Sequence, residues 1–252
     1  MNDEILNYDK ITPELAEICG IHAGDGHLRK NGREFELSGS YEERVYYDNH
    51  VIPLFRDYFK IDIQGRYFPT KGTYGFCICN SYVGIVLTNY GFPRGKKSTI
   101  VKVPEKVIKS DDCSVRRSFL RGIFDTDGCV TFDRKKCSNP LKVGKNYYPR
   151  IFFASVSKDL AEGIVFLCKM EGFKCRIYTY RSDNPRENLR YKPQIVGREA
   201  IERWMEIINP KNQAKVSRYL VWKKLGHCPP RTTYKERISL LNQVCSENNM
   251  GL

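Results

Sequence analysis

Two stretches decide the fold of this chain of 252 residues: Ile18-Cys19-Gly20-Ile21-His22-Ala23-Gly24-Asp25-Gly26 and Leu120-Arg121-Gly122-Ile123-Phe124-Asp125-Thr126-Asp127-Gly128. Each stretch has Gly at its third place and ends in an Asp-Gly pair. A similar series of segments follows each of them. The chain is therefore predicted to consist of one structural unit written twice.

Small residues recur at every fourth position in both stretches: Ala16, Gly20 and Gly24 in the first, and Ser118, Gly122 and Thr126 in the second. In a helix this spacing places them on one face. Glycine inside a helix costs roughly 0.5 to 1 kcal/mol relative to alanine, so its repeated use needs a reason. Close packing of the two helices against each other supplies that reason.

If the helices pack side by side, they end together, and Asp25 and Asp127 become neighbours at two negative helix ends. Two carboxylates in that position repel each other unless a cation binds there. Oxygen ligands in an exposed position favour magnesium over zinc. The predicted metal site comprises Asp25, Asp127, Gly24 and Thr126, with Mn²⁺ able to replace Mg²⁺.

The spacing of the two stretches resembles the signature of the LAGLIDADG homing endonucleases, with the second stretch the closer match. In that family the last acid of each motif binds the catalytic metal, which implies this role for Asp25 and Asp127. Asp125 has no acidic counterpart, because Ala23 stands at the equivalent place, and we give it no metal role. His22 and His27 have no equivalents in the second half, so we interpret them as packing or DNA-facing groups.

The resemblance also implies a lysine after the last helix of each half, near the catalytic water network. Lys97 is the candidate in the first half, with Lys96 behind it, and Lys211 or Lys215 is the candidate in the second. One departure concerns the end of the second strand of each half, where family members often carry Gln or Lys. Here Ser38-Gly39-Ser40 and Ser155-Val156-Ser157 contain no long polar side chain.

The order of predicted segments is helix, two strands, helix, two strands, helix, twice over. We predict an α+β fold of tandem, pseudo-twofold αββαββα units, the LAGLIDADG homing endonuclease fold, whose curved antiparallel sheets form a DNA-binding saddle. The first half is assigned to residues 1–100, a linker to 101–114, and the second half with C-terminal helices to 115–252. Pro53 is expected to kink a helix over 42–59 or to break it in two. The facing of strand residues Ile151 to Ala154 is ambiguous from sequence.

The net charge of +13 indicates a polyanionic partner, and it is unevenly distributed. Residues 1–110 carry a net charge of +1, whereas residues 111–252 carry +12. Aromatic residues alternate with the cations in two predicted hairpins of the second half, and a two-stranded ribbon fits the major groove of DNA. The predicted DNA-binding residues are Arg29, Lys30, Arg33, Arg66, Lys71, Lys96, Arg134, Lys135, Lys136, Lys142, Lys145, Tyr147, Arg150, Arg176, Tyr178, Tyr180, Arg181, Arg190 and Lys192.

Composition excludes several other classes. A hydrophobic content of 41% without low-complexity stretches argues against disorder, and no apolar run is long enough to cross a bilayer. The N-terminus lacks the features of a secretion signal, so we expect a cytoplasmic protein, associated with the nucleoid in a prokaryote. The ten cysteines contain no Cys-x-x-Cys pair and are expected to be free, buried thiols.

The sequence therefore predicts a monomeric, Mg²⁺-dependent endonuclease that cuts both strands of a long, nonpalindromic DNA duplex. No membrane and no obligate protein partner are expected. The C-terminus lacks the His-Asn that closes an intein, so we expect an intron-encoded or free-standing homing protein. The alternatives are an RNA maturase that assists intron splicing and a cleavage-inactive DNA-binding regulator.

Overall fold

A computed structural model describes residues 10–134, 147–184 and 186–249. The first half contains α1 (Pro13–Gly24), β1 (Gly26–Leu28), β2 (Glu34–Ser40), α2 (Arg44–Tyr46), α3 (Ile52–Phe59), β3 (Arg66–Phe68), β4 (Thr73–Cys79) and α4 (Ser81–Asn89). The short helix α5 (Glu105–Ile108) connects it to the second half. There follow α6 (Cys113–Asp127), β5 (Gly128–Arg134), β6 (Tyr147–Phe153), α7 (Lys158–Met170), β7 (Cys175–Tyr180), β8 (Arg190–Val196), α8 (Arg198–Ile207), α9 (Gln213–Leu225) and α10 (Tyr234–Asn249).

The two halves have matching sheets, which confirms the predicted α+β fold. Strand order is β1-β2-β4-β3 in the first sheet and β5-β6-β8-β7 in the second, with antiparallel pairing throughout. In β2 the side chains of Phe35 and Leu37 are buried, as their alternation predicts. In β6 the side chains of Pro149, Ile151 and Phe153 are buried, which resolves the ambiguity in facing and turns Phe152 outward.

Local sequence signals set the helix ends where predicted. The Thr12 hydroxyl accepts a hydrogen bond from Leu15 N at the start of α1, and Pro13 occupies its first turn. Ser157 caps α7 in the same way through Leu160 N. Strand β3 has only three residues, because the segment before Arg66 does not pair with the sheet.

The segment around Pro53 is a continuous helical run of changing type. A 3₁₀ turn (Tyr41–Glu43) leads into α2, then into a π-helical turn (Tyr47–Val51), and then into α3. Proline lacks a backbone N–H and clashes with the carbonyl one turn earlier, and a π-helical turn accommodates both defects. The helical run therefore continues through Pro53 and does not divide into two separate helices.

Helices α1 and α6 pack with their backbones in close contact. A Cβ added at Gly20 would collide with the main-chain oxygen of Phe119, and one added at Gly122 would collide with that of Glu17. The contacts are reciprocal, as expected for a pseudo-twofold pair. The small-residue series therefore serves the close approach that the sequence predicted.

The segment predicted as a linker is packed against the protein. Val101, Val103 and Val107 are buried, and Ser157 Oγ donates a 2.6 Å hydrogen bond to Val101 O. These contacts attach the connection to α7 in the second half. The connecting segment therefore contributes to the core.

Helices α9 and α10 extend the second half and reach back to the first. Arg237 of α10 is buried and donates hydrogen bonds to Ser217 Oγ (2.8 Å) and Ala214 O (2.9 Å). Tyr234 N donates to a carboxylate oxygen of Glu42 in the first half at 3.2 Å. The C-terminal helices thus brace the junction of the halves.

Eight cysteines in the described part of the chain are free, as expected. Four of their thiols are buried, while those of Cys79 and Cys113 are exposed, so the expectation of burial is right only in part. Among the described residues, no helix has the length and apolar character needed to span a bilayer.

Candidate active site and nucleic-acid interface

The paired helix ends bring Asp25 and Asp127 together. Asp25 caps the C-terminus of α1, and Asp127 is the last residue of α6. A Cβ at Gly24 would collide with Thr126 Oγ1 and would lie 3.4 Å from Asp127 Cγ. The absence of a side chain at Gly24 therefore lets the two acidic ends meet.

The electrostatics of the two carboxylates reflect this crowding. Desolvation, together with the negative charges of Asp127 and Glu43, raises the pKa of Asp25 to about 7. The positive charge of Lys215 and a 3.2 Å hydrogen bond donated by Tyr47 Oη lower the pKa of Asp25 in part. Desolvation also raises the pKa of Asp127, against the lowering effect of Lys215 and Lys97. Asp127 nevertheless remains open to solvent in the cleft.

Glu43 is a third acid at this site, and we did not predict it. Its carboxylate accepts a 2.9 Å hydrogen bond from Ser40 N and a 2.7 Å hydrogen bond from Asn212 Nδ2. Ser40 and Glu43 form a capping box at the start of the helical segment. The Ser-x-x-Glu spacing of a capping box was therefore the sequence signal that could have identified Glu43. Glu43 follows Ser38-Gly39-Ser40, the strand end that itself contains no long polar side chain.

Lys97 and Lys215 occupy equivalent places in the two halves. Lys97 Nζ donates to the main-chain oxygens of Ala23 and Gly24, both at 2.7 Å. Lys215 Nζ donates to Phe124 O at 3.2 Å and to Thr126 O. Each ammonium thus binds the carbonyl end of one motif helix beside its acid.

The geometry separates the two lysine candidates of the second half. The main-chain N of Lys211, rather than its ammonium, reaches the site by donating a 2.8 Å hydrogen bond to Asp125 Oδ2. Lys215, by contrast, places its ammonium at the end of α6. By position, Lys215 is the counterpart of Lys97.

Asp125 is a buried structural acid in this arrangement. Burial raises its pKa to about 7, although the N–H groups of Lys211 and Asn212 favour the charged form. Asn212 is fully buried and donates through Nδ2 to Asp125 O at 2.7 Å as well as to Glu43. The side chain of Asn212 therefore ties the start of α9 to both halves.

The donor set fits a divalent cation of magnesium type. All candidate metal ligands at the paired helix ends are oxygens: the carboxylates of Asp25 and Asp127 and the main-chain oxygens of Gly24 and Thr126. Carbonyl oxygens have two lone pairs, so the lysine contacts leave room for a further bond. Within the described ranges, no three His, Cys, Asp or Glu side chains are grouped closely enough to hold an ion unaided. Water and substrate oxygens would complete the coordination.

Two cavities are lined by residues near the paired helix ends, and both halves contribute to each. The first, of about 300 Å³, is lined by Gly24 and Lys97 of the first half and by Asp127, Ser155 and Arg190 of the second. A phosphate group that enters this cavity meets two cations. We call it the lysine-97 cavity.

The second cavity has a volume of about 180 Å³ and a different charge pattern. Its lining includes Ser40 and Glu43 of the first half and Gly128, Lys215 and Arg218 of the second. We call it the lysine-215 cavity. Each cavity therefore contains one of the two site lysines, but the other charged residues of the two linings differ.

The outer face of the first sheet carries paired charges. Arg29 forms a 3.0 Å ion pair with Glu34, and Lys71 forms one with Glu36. His27 is the cross-strand partner of Glu36 and is exposed. Glu34 and Glu36 are thus neutralised by two of the predicted DNA-binding cations.

The outer face of the second sheet is basic and aromatic. Cross-strand pairing places Arg176 and Gln194, Tyr178 and Lys192, and Tyr180 and Arg190 side by side. The ammonium of Lys192 lies 5.5 Å from the ring centre of Phe152 and 5.0 Å from that of Tyr180. This face has the composition of a nucleic-acid interface.

The remaining predicted DNA-binding residues fall into three groups. Lys30 and Arg33 are exposed in the β1–β2 turn, and Lys96 is exposed next to Lys97, while Arg181 is exposed directly after β7. Arg66 is exposed in β3 opposite Gly75, on the outer face of the first sheet. Arg134 ends β5, Tyr147 begins β6, and Arg150 lies within β6 opposite Thr131. Lys135, Lys136, Lys142 and Lys145 lie outside the described residues.

His22 and His27 have different environments. His22 is fully buried among aromatic rings, 4.6 Å from the ring centre of Phe92 and 5.5 Å from that of Phe35. Burial lowers its pKa well below the ordinary value, so it packs as a neutral ring. His27 belongs to the outer face of the first sheet.

Comparison with known proteins identifies the second half directly. Residues 114–209 match the sequence model of the LAGLIDADG-like domain. The chain is 26% identical over 208 residues to a tRNA-splicing ligase RtcB of Methanopyrus kandleri, covering 76% of this chain and 20% of the relative. It is 28% identical over 163 residues to a replication factor C small subunit of Methanocaldococcus jannaschii, covering 64% and 8%. The chain spans a fifth or less of the length of these two relatives.

Solved structures agree with this assignment. A variant of I-SmaMI superposes with a TM-score of 0.54 at 11% identity, covering 85% of this chain and 90% of that one. A variant of I-DmoI in complex with its target DNA in the presence of Mn superposes with a TM-score of 0.50 at 15% identity, covering 79% and 96%. Residues 114–209 therefore match a LAGLIDADG-like domain, and the chain has the fold of the LAGLIDADG homing endonucleases.

Proposed function

We propose that this chain is a monomeric, divalent-metal-dependent endonuclease that hydrolyses both strands of a long, nonpalindromic DNA duplex. The observation that carries the proposal is the meeting of Asp25 and Asp127 at the paired helix ends, with a lysine on each side. A structural helix pair has no need for opposed carboxylates at its end, since like charges destabilise each other.

Each group has a role in phosphodiester hydrolysis. Asp25 and Asp127 would hold Mg²⁺, with Mn²⁺ as a substitute, and the cation supplies charge that polarises the phosphate. Tyr47 holds the carboxylate of Asp25 by a hydrogen bond. Lys97 and Lys215 are already held in place by carbonyl oxygens, so each offers a fixed positive charge to a phosphate in its cavity.

The two composite cavities suit a duplex, since each could take the scissile phosphate of one strand. The outer sheet faces would bind the DNA on either side of the cut. Their different charge and aromatic content favours a target whose two halves differ in sequence. The I-DmoI variant bound to DNA in the presence of Mn supports DNA and a divalent cation as partners.

Selection followed by cleavage tests the proposal. Duplex fragments that bind the protein in EDTA are first selected from a randomised pool and cloned into a plasmid. The supercoiled plasmid is then incubated with the protein and Mg²⁺. DNA from an uninterrupted copy of the gene's insertion site provides a second source of targets, because intron homing would direct the enzyme to it. We expect linear plasmid with Mg²⁺ or Mn²⁺ and intact plasmid with EDTA.

Asp25→Asn and Asp127→Asn are the matched variants, and each should retain duplex binding while losing double-strand cleavage. Cleavage by both variants at the parental rate would contradict the proposal. Specific binding without cleavage under any metal would instead favour a cleavage-inactive DNA-binding regulator. Preference for intron RNA over the selected duplex at equal salt would favour a maturase.

A further inference from the structure

A third cavity, of about 580 Å³, opens at the edge of the first sheet. It is lined by Tyr41, Arg44, Gly65, Arg66, Tyr67 and Tyr74, and we call it the tyrosine pocket. It shares no lining residue with the lysine-97 or lysine-215 cavity. The proposed cleavage reaction does not use it.

Hydrogen bonds to the carboxylate of Asp48 fix the floor of the tyrosine pocket. Tyr74 is 7% exposed, and its hydroxyl donates a 2.6 Å hydrogen bond to Asp48 Oδ1. Arg44 Nε donates to Asp48 Oδ2 at 3.1 Å, and its guanidinium lies 5.3 Å from the centre of the Tyr74 ring. Asp48 thus fixes both an aromatic ring and a cation in position.

The walls of the pocket are two half-exposed rings. Tyr41 is 52% exposed and Tyr67 is 49% exposed, and their rings meet edge to face with centres 5.4 Å apart. Gly65 keeps the floor accessible, because a Cβ there would collide with the Tyr74 hydroxyl. Exposed aromatic side chains grouped in a concave site commonly bind ligands.

The tyrosine rings of the pocket lie on the side of the sheet away from the outer face, whereas Arg66, the cross-strand partner of Gly75, borders the pocket from the outer face. Tyr67, Tyr74 and Gly39 are cross-strand neighbours, and Tyr74 faces the protein interior. The outer face is made by the alternate residues, such as Ser38 and Gly75. A duplex bound on the outer face would leave the rings of Tyr41 and Tyr67 uncovered.

The chemistry of the pocket matches a nucleotide that is not base-paired. Two exposed rings can stack on a base, while Arg44 and Arg66 can bind a phosphate. Asp48 neutralises Arg44 in the free protein, whereas Arg66 forms no ion pair in the described part of the chain. We propose that the tyrosine pocket binds an unpaired nucleotide of a single-stranded nucleic acid. The proposal stands independently of cleavage.

Fluorescence anisotropy tests this site with three labelled probes at constant salt: U12, dT12 and a duplex of 24 base pairs. The first two contain only unpaired pyrimidines and distinguish RNA from DNA as the source of the nucleotide. The Tyr41→Ala/Tyr67→Ala double variant should bind the preferred single strand about tenfold or more weakly, since each stacked base contributes strongly to affinity. Its affinity for the duplex should be unchanged.

Three further variants make the experiment decisive. Tyr41→Phe/Tyr67→Phe should retain single-strand affinity, because stacking needs the ring and not the hydroxyl. Phe166→Ala removes a ring that is 43% exposed on α7 and should have no effect. Tyr67→Ala alone should weaken single-strand binding, so the test can still be made if the double alanine variant fails to fold. The proposal is overturned if neither single strand binds, or if the double alanine variant binds single strands as the parent does or loses duplex affinity equally.

Discussion

Three acids of one residue type have three different environments in this protein. Asp25 is half-buried and bonded to Tyr47, Asp127 is open to the cleft, and Asp125 is buried beneath the start of α9. Only the first two face each other, so only they form a place for a cation. Asp125 has no acidic equivalent in the first half, which agrees with its position outside the pair formed by Asp25 and Asp127.

Lys215→Met should lower cleavage of the selected plasmid target by about 100-fold, because it removes a fixed positive charge beside the reacting phosphate. Duplex affinity in EDTA should change little, since the ammonium is bound by Phe124 O and Thr126 O rather than lying on the outer face. Single-turnover rates and anisotropy measure the two quantities.

Lys211→Met should reduce the rate less than tenfold, because this residue reaches Asp125 through its main-chain N. The exposed Lys223 of α9 provides the control, and Lys223→Met should cleave at the parental rate. A larger loss for Lys211→Met than for Lys215→Met would reverse the assignment.

The buried carboxylate of Glu17 should make the stability of the protein depend on pH. Burial raises its pKa, but hydrogen bonds with His50 (2.6 Å) and Arg121 (2.5 Å) outweigh burial and leave the pKa below its ordinary value. A carboxylate with a depressed pKa stabilises the fold above its ordinary pKa, and this stabilisation is lost as the pH falls below that value. Glu17→Gln should therefore cost about 3 kcal/mol at pH 7, because it leaves Arg121 without its buried partner.

Urea unfolding at neutral and acidic pH measures this effect. The cost of Glu17→Gln should shrink at acidic pH, where the parent has also lost the ion pair. Glu14→Gln changes an exposed acid of the same helix and should have little effect at either pH. An equal cost of Glu17→Gln at both pH values would rule out the charged pair as its cause.

Secondary-structure elements position these side chains through two devices. The first is the close packing of α1 on α6, and the second is the π-helical turn before Pro53. That turn carries Tyr47, which reaches Asp25, and His50, which reaches Glu17. A local departure from α-helix thus serves both the candidate site and the junction of the halves.

Gly20→Ala and Gly122→Ala should each destabilise the protein by about 3 kcal/mol or more, at or above the usual cost of overpacking, because the added methyl group meets main-chain atoms that cannot move independently. Urea denaturation gives the free energy of unfolding. Ser114→Ala, at an exposed position of α6, is the control and should change it little. Parental stability in both glycine variants would show that the helices can separate without cost.

The two halves share a topology but not a charge distribution. The helix-capping residues Ser40 and Ser157 are equivalent, yet the third helical residue after them is Glu43 in one half and Leu160 in the other. Glu43 lines the lysine-215 cavity, and Leu160 lines the lysine-97 cavity. The duplication therefore produced a symmetric framework around an asymmetric site.

The salt dependence of duplex binding should come mainly from the second half, which carries most of the net charge. Arg176→Ala and Lys192→Ala should each reduce the slope of log K against log salt by about 1. Lys71→Ala should reduce it less, because Glu36 already neutralises this cation in the free protein. Anisotropy titrations at several salt concentrations give the slopes. Equal slopes for all three variants would contradict the asymmetry.

Spacing along the chain was sufficient to predict the duplication, the helix pair, the order of helices and strands in each half and the meeting of Asp25 with Asp127. These features depend on periodicity, caps and turn residues, which are local properties of a sequence. Packing in three dimensions was needed to distinguish Lys215 from Lys211, to turn Phe152 outward and to bring Glu43 and Asn212 to the site. Those outcomes depend on contacts between residues that are far apart in the chain. Local sequence patterns do not encode which distant residues come into contact.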